Sequence, residues 1–214
     1  MPVTISGTDN FILNADSLGT AVAGALDYNG TALYFTPTGT QRGVVPGAQF
    51  FRLDSGLAGA NVNTAQNVFG VGVTLSASTV YAFEAYYVLN KTAGTTSHTI
   101  GSGFGGTATI NNLLYGGILN AAAATFTSGS LAAANTFDVN TAANTALTGA
   151  TTSANLSCRL QFKGTISINA GGTFIPQYTL SAAPGGAYST LAGSYFLIYP
   201  IGASGANVNV GTWA

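Results

Sequence analysis

The sequence predicts an all-β protein: a jelly-roll-like antiparallel β-sandwich with an extended N-terminal arm that carries a β-hairpin. Three observations predict it. Apolar residues recur at every second position over long stretches, the spacing of a strand with one dry face. Turn residues, drawn from 29 glycines and 6 prolines, punctuate the chain at short intervals. About eight to ten short strands separated in this way argue for a sandwich or jelly roll. No segment has the periodicity of an amphipathic helix.

The stretch on which the rest can be hung runs from Leu156 to Asn169. Leu156, Cys158, Leu160, Phe162, Ile166 and Ile168 alternate with Ser157, Arg159, Gln161, Lys163, Thr165, Ser167 and Asn169. Gly164 interrupts the apolar row and predicts a bulge or bend. Gly171-Gly172 predicts a tight turn at positive φ, after which Thr173 to Ser181 runs back as a hairpin partner.

In chain order, residues 1–46 read as the arm and residues 47–214 as the sandwich, with the boundary near Pro46. Phe11-Ile12-Leu13 is the arm's apolar cluster. Asn29-Gly30 between Ala25–Tyr28 and Thr31–Phe35 predicts a hairpin. Pro37, Gly39, Gly43, Pro46 and Gly47 predict an irregular connection beyond it. Gln49 to Leu53 is a short strand, and Val68 to Leu75 places Val71, Val73 and Leu75 on one face. Thr79 to Asn90 carries Tyr81, Phe83, Tyr87 and Leu89 on one side and Val80, Glu84, Tyr86 and Val88 on the other. A strand apolar on both faces has a second layer or another subunit over it. His98 to Phe104, Ala108 to Tyr115, Ala123 to Phe126 and Thr136 to Val139 are further strands. Asn140 to Asn155 is a loop, Phe174 to Leu180 pairs back, and Gly193 to Pro200 is a buried strand.

Composition excludes several functions. Charged residues make up 5% of the chain, five Lys or Arg against six Asp or Glu. A surface with so little field has nothing to steer a polyanion, so nucleic acid is not expected as a partner. No stretch is apolar for the length of a membrane helix, and Met1-Pro2-Val3-Thr4 has neither the basic start nor the apolar run of a secretory signal. Synthesis and folding in a cytoplasm, without membrane insertion, are expected.

Catalytic chemistry has few carriers, with one His and one Cys in the chain. His98 has no second histidine for a metal site and reads as a surface or hydrogen-bonding residue. Cys158 falls on the apolar face and reads as a small buried hydrophobe, with Arg159 pointing the other way. Asp54, Glu84 and Asp138 are the carboxylates that a glycan-cleaving pair would need, and all three are isolated in sequence. The glycines of residues 101–106 lack the Lys-Ser/Thr ending of a phosphate loop. An enzyme is not expected, nor any cofactor or metal.

Two groups of residues carry a family likeness. Gly24-Ala25-Leu26-Asp27-Tyr28-Asn29-Gly30, Leu33-Tyr34-Phe35-Thr36-Pro37 and Arg42-Gly43-Val44 resemble a recurrent stretch of tail-fibre and virion structural proteins of tailed bacteriophages, including cyanophages. Residues 78–84, 91–98, 104–109 and 163–166 resemble the C-terminal domain that follows it there. The resemblance implies a trimeric head of the tumour-necrosis-factor-like kind, found at fibre tips and as cement proteins on capsids, and brings no catalytic residue. Fibre proteins of this kind usually carry a long shaft, whereas residues 1–46 alone precede the sandwich here. The expectation is therefore a homotrimeric capsid cement, or decoration, protein on the outer capsid surface of a virion, partnered by the major capsid protein. Phe11, Ile12, Tyr28, Tyr34 and Arg42 are expected to contact the capsid, and Tyr86, Phe196 and Tyr199 to line the threefold interface. The alternative is a tail-fibre or tailspike tip that binds a host surface glycan or receptor through the loops Thr92 to His98 and Asn140 to Asn155.

Overall fold

The computed structural model describes residues 13–123 and 134–213. These residues form sixteen strands and no helix. In chain order they are β1 (Leu26–Tyr28), β2 (Leu33–Phe35), β3 (Gly43–Val45), β4 (Gln49–Arg52), β5 (Leu57–Ala58), β6 (Gln66–Asn67), β7 (Val73–Leu75) and β8 (Thr79–Lys91), followed by β9 (Ile100–Gly105), β10 (Thr109–Ala122), β11 (Ala134–Val139), β12 (Thr145–Ala146), β13 (Leu156–Ala170), β14 (Gly172–Leu180), β15 (Ser189–Thr190) and β16 (Tyr195–Ala203). Every pairing is antiparallel. The protein is all-β, with antiparallel sheets in a sandwich-like arrangement.

The large sheet runs β11-β10-β13-β8, and the far edge of β8 is shared by β16, which pairs on to β4, and by β15, which pairs on to β5. The second sheet runs β12-β9-β14, with β6 and β7 side by side on the far edge of β14. A separate three-stranded sheet, β1-β2-β3, forms the N-terminal module.

The inner face of the large sheet is built on size complementarity along its rows. One row reads Val139, Tyr115, Gly164, Phe83 and Ile198. The next reads Phe137, Gly117, Phe162, Ala85, Phe196 and Phe51. A glycine or alanine between two rings lets the rings meet across it: Tyr115 and Phe83 lie 6.2 Å apart over Gly164, and Phe137 and Phe162 6.2 Å apart over Gly117. The second sheet closes the core with Phe104 and Phe174, stacked at 4.3 Å, and with buried Ile100, Tyr178 and Leu180.

Several expectations are corrected. Gly164 marks no bulge, since its register to both neighbours is unbroken and the irregularities fall at Thr109–Asn112 and Pro200–Gly202. A Cβ at Gly164 would sit 2.3 Å from the Leu114 carbonyl oxygen and 2.5 Å from Tyr115 Cβ, so the glycine is required by close packing. Gly171 and Gly172 do not make a hairpin turn; neither has a positive φ, and β14 crosses to the second sheet instead of pairing with β13. β9 and β10, joined through Gly105-Gly106, likewise lie in different sheets and form no hairpin, although Gly106 has φ 115°.

In the N-terminal module the β1–β2 hairpin forms as expected, with Gly30 at φ 89° and Asn29 Oδ1 accepting from the backbone of Thr31 and Ala32. The segment expected to be irregular contains β3, because Gly43 to Val45 can extend beside β2 before Pro46 stops it. Val71 is exposed while Leu75 is buried, so the expected common face of Val71, Val73 and Leu75 is only partly covered. The strand expected at Ala123 to Phe126 lies mainly outside the described residues.

Candidate functional site

Among the described residues no third layer covers the middle of the large-sheet face that turns away from the core, although Val88 and Ser167 toward its ends are buried. Its rows follow from the registers: Asp138, Gly116, Lys163, Glu84, Leu197 and Phe50 in one, and Thr136, Ile118, Gln161, Tyr86, Tyr195 and Arg52 in the next. Leu114, Thr165, Ala82 and Tyr199 form a third. Apolar side chains stand open on it, with Leu114 59%, Phe50 58% and Ile118 42% exposed. Among the described residues the second-face cover expected for β8 is partial: Val88 is buried, whereas Val80, Glu84 and Tyr86 are only half-buried.

Three rings on this face form a ladder. Phe50 and Tyr195 stack at 5.4 Å and 27°, and Tyr195 and Tyr86 at 6.1 Å and 17°. The central ring, Tyr195, has a neighbour on each side and donates its hydroxyl to Glu84 Oε1 at 2.5 Å. That hydrogen bond raises the Tyr195 phenol above its usual range. Rings that spend their faces on one another offer edges outward, a surface for protein packing more than for stacking sugars. From Phe50 the apolar surface continues round the edge strand β4 into a cleft of ≈ 340 Å³ between β4 and β7, lined by Phe51, Phe69, Val71, Phe196 and Ile198 among others.

The predicted interface residues divide. Tyr86 and Tyr199 lie on this outer face, half-buried. Phe196 falls on the inner face, 5% exposed and packed against Phe69, Phe83 and Phe174, because strand alternation turns it away from Tyr195 and Leu197. Sequence reasoning missed Phe50 and Tyr195, although the alternation that places Tyr199 also places Tyr195.

The predicted capsid contacts divide as well. Phe11 and Ile12 lie outside the described residues. Tyr28 is on the open face of the small sheet, with Leu26, Leu33, Phe35 and Val45. Leu26 is 52%, Phe35 40% and Val45 36% exposed there. Tyr34 is on the opposite face, 2% exposed, its hydroxyl accepting from Asn29 Nδ2 at 3.2 Å. Arg42 also turns to that face, paired to Asp27 at 3.0 Å and donating to the Gly19 carbonyl at 2.9 Å. The open face is therefore uncharged and apolar.

Comparison with known proteins returns nothing. No family model, no curated protein and no solved structure matches the chain. Its site must therefore be judged on its own chemistry.

That chemistry is sparse among the described residues. Cys158 is wholly buried, and burial pushes its thiol up to about 12. His98 is buried and not at the surface; Nδ1 meets the Thr96 carbonyl and Nε2 the Tyr188 hydroxyl, each at 2.7 Å. Since a carbonyl can only accept, Nδ1 carries the proton and, in the neutral ring, Nε2 accepts from Tyr188. Glu84 and Asp138 share a row but stand three strands apart, about 14 Å between backbones at the usual strand spacing. Carboxylates that cleave glycosidic bonds stand about 5 to 9.5 Å apart. Asp54 is exposed and paired to Arg52. Within the described residues no group of three or more His, Cys, Asp or Glu is placed to hold a metal.

The functional surprise is Lys91. Its side chain is on the inner row of β8, 1% exposed, and its ammonium donates to the carbonyls of Ala93, Gly94, Ser153 and Ala154. Sequence reasoning ended the strand at Asn90 and so passed it over. The signal was its parity with Tyr81, Phe83, Tyr87 and Leu89.

Proposed function

We propose that this chain is a structural subunit of a bacteriophage virion, a decoration or cement protein that assembles as a homotrimer on the outer surface of the capsid and holds neighbouring shell subunits together. The observation that carries the reading is the uncovered outer face of the large sheet. Its ladder of Phe50, Tyr195 and Tyr86 runs into the apolar edge cleft, in a chain with only 5% charged residues. An apolar, aromatic surface that wraps from a sheet face round an edge suits a cyclic contact, in which the edge of one copy meets the face of the next.

Strand order supports the finer fold reading. With the β10–β11 hairpin set aside as an insertion, the large sheet reads β4-β16-β8-β13 and the second sheet β6/β7-β14-β9-β12. Numbered as eight strands in chain order, these are 1-8-3-6 facing 2-7-4-5, the pairing of a jelly roll. The resemblance of residues 24–44 to phage virion proteins supports the location. The small sheet, with Leu26, Tyr28, Phe35 and Val45 on its open face, is the element proposed to meet the major capsid protein. In this reading the protein carries no catalysis and needs no cofactor.

The alternative, a fibre tip that grips a host glycan or receptor, draws on the loop end around Lys91, which is internally pinned and so suited to recognition. Copy number separates the two. Quantitative mass spectrometry of purified virions is expected to give a ratio comparable to the shell protein; a ratio of a few per cent would move the chain to the tail. Sedimentation of the purified chain is expected to give a trimer, and of Tyr195→Ser a monomer with an unchanged far-ultraviolet spectrum.

A further inference from the structure

The end of the sandwich where β8 finishes is closed by three loops, residues 92–99, 147–155 and 181–188. Lys91 reaches into them. Its ammonium lies 2.8 Å from the Gly94 carbonyl oxygen, 3.2 Å from that of Ala93 and 3.3 Å from that of Ala154, with the Ser153 oxygen also in hydrogen-bond contact. The Tyr188 ring forms a further wall, 5.8 Å from Nζ to its centre. Neither ion pair among the described residues involves Lys91; these are Arg42–Asp27 and Arg52–Asp54. The charge is compensated by carbonyl dipoles, as in sites where backbone carbonyls replace the hydration shell of an alkali ion.

The walls of the cage are held by contacts that do not involve the lysine. Gly94, at φ +86°, lies so close to the third loop that a Cβ there would be 2.3 Å from the Pro184 carbonyl oxygen. A Cβ at Gly186 would be 2.3 Å from the Ala93 carbonyl oxygen. His98 and Thr151 exchange backbone hydrogen bonds of 3.1 and 2.9 Å, and His98 Nε2 meets the Tyr188 hydroxyl. The carbonyls are thus aimed at one point by the backbone path itself. Three of the four carbonyls, those of Ala93, Gly94 and Ala154, stand beyond the roughly 2.0 to 2.6 Å at which magnesium and calcium are bound, so the opening suits a larger, singly charged ion.

We propose that this cage is a monovalent-cation site which the chain fills with its own lysine, and that the tethered ammonium clamps the three loops at this end of the molecule. The inference is independent of where the protein acts. It predicts that emptying the cage creates a site for a free ion.

The test compares wild type, Lys91→Ala and Lys91→Met by thermal denaturation in tetramethylammonium chloride, potassium chloride and ammonium chloride at equal ionic strength. Lys91→Ala is expected to melt well below wild type in tetramethylammonium and to recover at least half of the loss in potassium or ammonium. Wild type is expected to be indifferent to the salt. Lys91→Met, whose apolar side chain blocks the opening, is expected to be destabilised and not rescued. Equal melting of Lys91→Ala in all three salts would overturn the proposal, and so would its failure to fold in any of them. Lys91→Met as stable as wild type would overturn the clamp.

Discussion

Gly164 shows how much a single absent side chain can decide. The glycine separates Tyr115 from Phe83 in one row of the core, and any Cβ there collides with backbone on β10. Gly164→Ala is expected to lower stability by about 3 kcal/mol, at the upper end of overpacking costs, read from urea denaturation. A second prediction rests on ionisable groups in the same core. Burial raises Cys158, Tyr115 and Tyr178 to about 12, and raises Tyr87 and Tyr188 as well. These groups keep their protons in the fold at pH values where the unfolded chain loses them, so stability is fully present below about pH 9 and is lost as pH rises from there to about 12. Each group steepens the fall by up to about 1.4 kcal/mol per pH unit. Denaturation midpoints measured against pH, with tyrosinate absorbance as a second signal, are expected to be flat in the neutral range and to drop steeply beyond pH 10. At this scale the sequence was legible where alternation alone determines the answer, as for Cys158. For Lys91 alternation gives the inward direction but not the partners, and for His98 it gives neither, because the Ser153 and Ala154 carbonyls and the Tyr188 hydroxyl are brought in by distant loops.

Among the elements, strands were easier to foresee than their partners. Alternation and turn residues locate β8, β9, β13, β14 and β16 within a few residues, because those signals are local. Pairing is decided by contacts far apart in the chain, and two apparent hairpins, β9 with β10 and β13 with β14, are crossings between sheets. Gly171 and Gly172 look like turn residues; their role is to let backbone pass close to Leu75, Thr107 and Ala108. The small N-terminal sheet gives the prediction that belongs here. It forms no ladder with either large sheet, and its open face carries Leu26 and Phe35 in adjacent register. Phe35→Asp is expected to leave the sandwich transition within about 0.5 kcal/mol of wild type, as an exposed substitution should. If the small sheet meets the capsid as proposed, the same change reduces retention on capsids at least tenfold in a pelleting assay. Retention unchanged by Phe35→Asp and by Leu26→Asp would remove the small sheet from the attachment surface.

For the whole molecule, low charge sets the character of any assembly. If copies associate through the Phe50–Tyr195–Tyr86 ladder and the adjoining cleft, the association is driven by apolar burial, and the dissociation constant is expected to change less than threefold between about 0.05 and 0.5 M salt, since there is little Coulomb attraction to screen. Sedimentation equilibrium at several salt concentrations checks this; a strong salt dependence would point to Lys163, Arg159 and Glu84 as the operative contacts. The position of Trp213 has a consequence for how the protein can be watched. It is the chain's single tryptophan, 78% exposed, beside Arg42 and Gly43 of the small sheet, whereas the sandwich core is filled with tyrosine and phenylalanine. Indole fluorescence is therefore a local reporter of the tail and the N-terminal module and is nearly blind to the core, while the near-ultraviolet dichroism of tyrosine follows the core and says little of the tail. With eight of the ten tyrosines in the sandwich, the two optical channels largely separate the tail and small sheet from the sandwich, so changes at the one and unfolding of the other can be timed separately in an unlabelled sample.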